Sequence, residues 1–305
     1  MPADLQKLVR QHAQTAKLLG VDFVPAFRSA NSEFTDEAVG EVAQPEESPA
    51  PSHAATPPPN ADMFARERAI EAKPVASSAA PAGYSGTEVQ RLAGWTNPPK
   101  NSGEDASQYK HRCLAALRAR YEADAPHQHF VTAHHNLVWS DGDPMSKVVF
   151  VGEAPGEDED KQGIPFVGRA GQLLNKMIVA MGLSREANAG DKGVYICNVL
   201  KTRPPDNATP TSYEAGLCEP YLIEQLIIVN PVCIVTLGLP STRTLLKTDA
   251  SMARMRGQWQ SLKIPNGPTF PVMPTYHPAY ILRAYTEDNR KKVWSDLQMV
   301  MQKIK

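Results

Sequence analysis

The sequence predicts an α/β protein, a three-layer αβα arrangement around a mainly parallel, four-stranded central sheet. Four short apolar runs, at residues 148–151, 194–201, 232–238 and 271–278, carry this reading. The first is uninterrupted, as a strand covered on both faces is. Helical patterns separate the runs, and such alternation builds βαβ units and a parallel sheet. Each run also ends in a glycine or a polar side chain: Glu153, Asn198 with Lys201 and Arg203, Gly238, and His277. These groups converge on one rim, and open α/β sheets bind ligands outside the carboxyl ends of their strands.

Taken in chain order, residues 3–26 set Leu5, Leu8, Val9, Ala16 and Leu19 near one helical face before Gly20 and Pro25 end the pattern. Residues 1–30 are read as an amphipathic helical segment, either a docking element for a protein partner or a helix that packs back onto the domain. Of 27 prolines, eight fall between Pro45 and Pro81, among many Ala and Ser and few large apolar residues. That composition buries too little apolar surface to offset chain entropy. Residues 31–100 are therefore assigned to a disordered Pro/Ala/Ser-rich linker, and 101–305 to the globular domain, which is long enough for a substantial core.

Within the domain, Tyr109, Cys113, Leu114 and Leu117 predict a helix over 105–121 with an Arg-rich outer face. His134 and His135 follow in a loop and receive no role, because neighbouring side chains point apart. The stretch 148–178 then reads as a buried strand, a tight Gly-Pro turn, an acidic loop, an exposed-looking Pro-Phe and an amphipathic helix. Glu157, Asp158, Glu159 and Asp160 cannot all face one ion, so the run is read as a solvated loop and no metal site is assigned. Further helices are expected over 211–229, 239–247 and 295–304.

Formal net charge is −1, yet residues 243–305 hold 11 Lys/Arg against 4 Asp/Glu, while 101–242 hold 12 against 17. One end of the domain can therefore carry a phosphate-facing surface on a nearly neutral chain. An ordinary solvated face is the alternative reading of the same charges. Four cysteines without CxxC pairing, no signal peptide and no long apolar span predict a cytoplasmic protein with free thiols. Neither a GxGxxG fingerprint nor a Walker sequence is present.

The rim thus gathers a carboxylate, an amide, an imidazole and an aromatic ring. Asn198 can donate and accept at once, as reading a nucleobase edge requires, and equally can satisfy backbone groups at a strand end. Phe166 offers a stacking face, or is a core phenylalanine. His277 is a candidate site residue, or a turn residue before Pro278.

The segments GEAPGEDEDKQGIPFVGRAGQLL, NVLKTRPPDN, CEPYL and MPTYHPAYILR, in this order over about residues 136–302, resemble the uracil-DNA glycosylase superfamily, specifically its family-4 type. The resemblance implies hydrolysis of the bond between uracil and deoxyribose after the nucleotide is flipped from the helix. It implies that Glu153 stands near the attacking water, Phe166 stacks on uracil, Asn198 reads its Watson–Crick edge and His277 supports the departing oxygen. Gly152, Ala154, Pro155 and Gly156 would line the pocket. Arg203, Arg254, Arg256, Tyr280 and Arg283 are the candidate DNA contacts, with uracil-containing DNA as the partner. Ala154 stands where the best-known single-domain glycosylases have an aspartate.

Family-4 proteins also imply a four-iron, four-sulfur cluster, held by an upstream CxxC pair and by cysteines in KCRPP and CxPYL motifs. Here the upstream pair is missing, Thr202 stands in KTRPP, and only Cys218 in CEPYL remains. A cluster ordinarily needs four thiolates, so no cofactor and no metal ligand is expected, with the helix bearing Cys113 and Tyr109 filling the space. KQGIPFVG follows the acidic segment directly, so covalent capture of DNA is not expected either. Two alternatives stand beside the glycosylase reading: a weak or inactive DNA-binding protein on the same fold, and a glycosylase for another deaminated base such as hypoxanthine or xanthine.

Overall fold

The computed structural model describes residues 87–305. The amphipathic helix expected over 1–30, and the linker up to residue 86, lie outside the described residues. Six strands, β1 (Ser140–Gly142), β2 (Val148–Gly152), β3 (Val194–Asn198), β4 (Cys233–Leu237), β5 (Gln260–Lys263) and β6 (Thr269–Thr275), form one sheet in the order β1-β3-β2-β4-β6-β5. The central four, β3, β2, β4 and β6, run parallel and are the four predicted strands. The short outer strands β1 and β5 add antiparallel edges that the sequence reading did not include.

The helices are α1 (Ala106–Asp124), α2 (Glu157–Gln162), α3 (Arg169–Ala180), α4 (Ser212–Val229), α5 (Leu239–Leu246), α6 (Met252–Met255), α7 (Pro278–Arg283) and α8 (Glu287–Ile304). Every residue of β2, β3 and β4 is buried, and successive strand side chains point to opposite faces. Val149, Val151, Tyr195, Cys197 and Ile234 pack with Cys113 and Leu117 of α1 and Leu222 and Leu226 of α4. Val148, Phe150, Val194, Ile196 and Val235 pack on the other face with Leu174 and Ile178 of α3 and Leu297 and Val300 of α8. This is the expected three-layer arrangement.

Helix starts are written locally. Asp105 accepts from the Gln108 amide (2.8 Å) while the Gln108 side chain accepts from the Asp105 amide (3.1 Å). Thr211 and Glu214 form the same reciprocal box at α4. Both satisfy amides that would otherwise lack partners in the first turn.

The acidic run departs from its reading as a solvated loop, because it forms α2. Asp160 turns inward and is buried, accepting from the His135 amide (2.7 Å) and the Asn136 amide (3.1 Å). His135, given no role from sequence, places its Nδ1 2.7 Å from the same carboxylate.

Residues 87–100, which composition assigns to the linker, are anchored on α4. Val89 is buried in the core. The Gln90 amide donates to Glu219 (3.0 Å), and Arg91 makes a two-pronged ion pair with Glu224 (2.6 and 3.1 Å). Among the described residues, no helix is long and apolar enough to cross a membrane.

Candidate active site

Chain order makes the site. From the central strand β2 the chain passes outward to β3, then returns across the sheet to β4 on the other side. The crevice beside such a reversal is where open α/β sheets bind ligands. Parallel pairing sets Gly152 beside Asn198, and the Val199 and Leu200 amides donate to the Gly152 and Glu153 carbonyls (3.0 Å each). The rim above holds a cleft of about 740 Å³ lined by Glu153, Ala154, Pro155, Gly156, Phe166, Asn198 and His277, with Tyr280 and Arg283 at its edge. Nine of the thirteen sequence-nominated residues thus line one cavity. Gly152 lies directly behind it.

Two glycines hold the aromatic wall in place. A Cβ on Gly152 would collide with Asn198 Oδ1 and the Phe166 ring, and one on Gly171 would collide with the Phe166 carbonyl. Phe166 has a left-handed backbone (φ 54°), which costs a non-glycine residue on the order of 1 kcal/mol. Its ring is 5% exposed, belongs to the core under α3, and tilts 31° to the His277 ring at a centroid distance of 5.6 Å. Phe166 is therefore both a core residue and a wall of the cleft.

Glu159 was not nominated from sequence. Its carboxylate accepts from the amides of Gly156 (3.1 Å), Val167 (3.0 Å) and Gly168 (3.0 Å). It ties the GEAPG turn to the PFVG turn. Thr209, Leu239, Pro240, Met252 and Tyr276 also line the cleft without having been nominated. Glu159 was hidden in a charge run that reads as solvated, and the others carry no pattern of their own.

The polar groups are unusual in charge state. Burial pushes the Glu153 carboxyl up to about 7, against the opposing effect of a hydrogen bond from Thr209. Its Oε1 is buried without a hydrogen-bond partner, as is Oδ1 of Asn198, a residue only 2% exposed. Burial, aided by the Arg283 cation, lowers His277 to about 4. Its Nδ1 accepts from the Ala279 amide (3.0 Å) at the start of α7. In the neutral ring the proton therefore sits on Nε2, which makes that atom a donor.

The basic candidates divide. Tyr280 is exposed at the mouth, with its ring 4.9 Å from that of Tyr276. Arg203 does not line the cleft: it donates to Asn207 (2.9 Å) and lies 3.7 Å from Glu157. Arg254 borders a separate concavity with Asp249 and Gln260. Arg256 is engaged within the fold: it pairs with the buried Asp296, donates to the Lys292 carbonyl (2.6 Å) and lies 5.7 Å from the centre of the Tyr276 ring. Asp296 also accepts from the Thr275 hydroxyl (2.6 Å), so Arg256 fastens β6 to α8.

An iron–sulfur cluster does not fit the residues at the positions implied for it. Thr202 is buried, and its hydroxyl has no hydrogen-bond partner. Burial pushes the Cys218 thiol up to about 11. The Tyr121 hydroxyl lies 3.8 Å from Cys218 Sγ, and its ring packs with Tyr221 (5.0 Å), Trp139 (5.6 Å) and His127 (5.6 Å). Helix α1 does occupy this region, but with Tyr121 rather than Tyr109. Among the described residues, which include all four cysteines, no three His, Cys, Asp or Glu are arranged to hold a metal ion.

Residues 139–298 match the family model for the uracil DNA glycosylase superfamily. The chain is 40% identical over 174 residues to a Type-4 uracil-DNA glycosylase of Thermotoga maritima, covering 56% of this chain and 84% of that protein. It is 41% identical over 170 residues to a Type-4 uracil-DNA glycosylase of Sulfurisphaera tokodaii, covering 54% and 73%. A Type-5 uracil-DNA glycosylase of Pyrobaculum aerophilum matches at 31% over 147 residues, covering 45% and 63%. With the cleft at the strand ends and these matches over most of the described domain, the chain belongs to the uracil-DNA glycosylase superfamily.

Proposed function

We propose that the chain is a DNA repair enzyme that hydrolyses the N-glycosidic bond of deoxyuridine in DNA, releasing free uracil and leaving an abasic site. One observation carries this reading: a single cleft joins a carboxylate near neutrality, a neutral imidazole donor, an unpartnered buried amide oxygen and an aromatic ring. A base within a duplex is out of reach, so the nucleotide must rotate out, at a cost of a few kcal/mol that pocket contacts offset.

In the cleft Phe166 stacks on the base. Asn198 Oδ1 accepts from uracil N3–H, and its amide group donates to O4. Cytosine presents an acceptor at N3 and would leave the buried Oδ1 facing another lone pair, which is costly. As the C1′–N1 bond breaks, its electron pair passes into the uracil ring, and His277 Nε2–H donates to the oxygen that gains charge. A neutral donor aimed where charge develops is worth ~10² to 10³ in rate. Glu153 takes a proton from the water whose oxygen bonds to C1′. Ala154 offers no second carboxylate, so this task falls to Glu153 alone. Tyr280 and Arg283 meet the DNA at the mouth, with Arg203 and Arg254 flanking. The reaction proceeds without an iron–sulfur cluster, a reading supported by Thr202 and by the Tyr121 packing around Cys218.

The test is a panel of single-stranded and duplex oligonucleotides carrying U, hypoxanthine, xanthine or T, followed by cleavage at abasic sites. Breaks at U are expected. Breaks at another base with none at U would transfer the reading to that base, and none at any base in folded protein would leave only a DNA-binding role.

A further inference from the structure

We infer that Arg185 is a positioning residue for catalysis, clamping the turn that presents Phe166 to the base. This rests on the glycosylase reading and extends it to a side chain outside the cleft. Arg185 follows α3, and its backbone is steadied by its neighbour: the Ser184 amide donates to the Lys192 carbonyl (2.7 Å), and the Val194 amide to the Ser184 carbonyl (3.0 Å). Its guanidinium reaches back to the Phe166 turn. Nη1 donates to the Phe166 carbonyl (2.6 Å) and to Asn175 Oδ1 (3.1 Å), and Nη2 donates to the Pro165 carbonyl. Nε donates to Asp141 of β1. Four of the five donors of a planar, rigid fork are thereby used, and two of them fix consecutive carbonyls of one turn.

The opposite side of the same turn is held by the opposite charge. Glu159 takes the Val167 and Gly168 amides, while Arg185 takes the Pro165 and Phe166 carbonyls. Between these two anchors Phe166 keeps its left-handed backbone, and Gly171 leaves its carbonyl the space to face the guanidinium. Such a conformation persists only when its surroundings over-determine it. Without Arg185 both carbonyls lose their donors and the turn can relax toward negative φ, swinging the ring away from Gly152 and His277. The edge strand β1 acquires a purpose here, since its Asp141 orients the guanidinium.

Lysine cannot replace this fork. It offers one ammonium, which can serve one carbonyl but does not span both with a fixed geometry. The consequence is loss of ring placement rather than loss of an interaction with substrate, and misplacement of about 1 Å can cost ~10²-fold in rate.

The experiment is a double-mutant cycle on the full chain, measuring kcat/KM for uracil release with Arg185→Gln, Phe166→Ala and the double variant. Arg185→Gln alone is expected to lose on the order of 10- to 100-fold, with unchanged affinity for DNA lacking uracil. In the Phe166→Ala background the same change is expected to cost less than about 2-fold, since residues acting through one another are not additive. Equal losses in both backgrounds, or no loss with Arg185→Gln alone, would overturn the inference. If Arg185→Gln does not fold, Arg185→Lys carries the same cycle, with an intermediate loss expected. The single Phe166→Ala variant reports separately on the glycosylase reading: full activity there would count against the site itself, whatever the cycle shows.

Discussion

The pH dependence of Glu153 offers the sharpest test of the proposed chemistry. The carboxyl is held at about 7 by burial, and only its ionised form can take a proton from water. One unit below its pKa about a tenth of a carboxyl group is ionised. From pH 8 to pH 6, kcat/KM for uracil release should therefore fall about tenfold, with a midpoint near 7, because kcat/KM reports ionisations of the free enzyme. His277, held at about 4, stays neutral over that range and adds no second limb. The Glu153→Gln variant keeps the shape of the side chain and loses the base, so its profile should be flat and lower by ~10² to 10⁴. Unfolding does not imitate this signal. A raised carboxyl pKa means that the folded state keeps its proton between 4.5 and about 7, so the Glu153 contribution to stability falls as pH rises through that window. The depressed His277 acts in the opposite direction, adding stability as pH rises from about 4 to 6.5. A wild-type profile that is flat between pH 6 and 8, or a glutamine variant that keeps the inflection, would refute the assignment.

Other outcomes follow from the same geometry. Asn198→Ala and His277→Ala should each lower single-turnover uracil release by ~10² to 10³; wild-type rates for both would undo the site. Asn198→Ala should melt close to wild type, since the lost oxygen has no partner in the fold, whereas His277→Ala also removes the cap of α7 and should cost about 1 kcal/mol. Arg256→Ala should cost about 3 to 5 kcal/mol in denaturant unfolding, because it strands the buried Asp296 carboxylate. DNA affinity per folded molecule should not change, and selective loss of affinity at full stability would return Arg256 to the DNA surface.

The sequence carried the central fold well because burial on both faces writes itself as apolar runs, and the four parallel strands are such runs. Edge strands leave no comparable trace: β1 is Ser-Asp-Gly, and β5 spans four residues. Glu153, Asn198 and His277 were legible as rim candidates because each lies at or within two residues of the carboxyl end of a strand, where open α/β sheets bind ligands. Charge was the poorest guide. Arg256 reads as one more basic residue in a basic segment, yet a buried aspartate 40 positions later claims it. Glu159 reads as solvated, yet three amides surround it. Such partners are fixed only by tertiary structure, and no local spacing announces them. The same holds for Tyr121, whose contact with Cys218 joins α1 to α4 across 97 positions.

The most direct test of a glycosylase working without a cluster measures free uracil and iron in the same purified sample. Incubation with a single-uracil oligonucleotide should release uracil and leave abasic sites in equal amount over repeated turnovers, from protein with no stoichiometric iron and no visible iron–sulfur absorption. Uracil release that appears only in protein carrying stoichiometric iron, or no release from folded protein, would contradict the account.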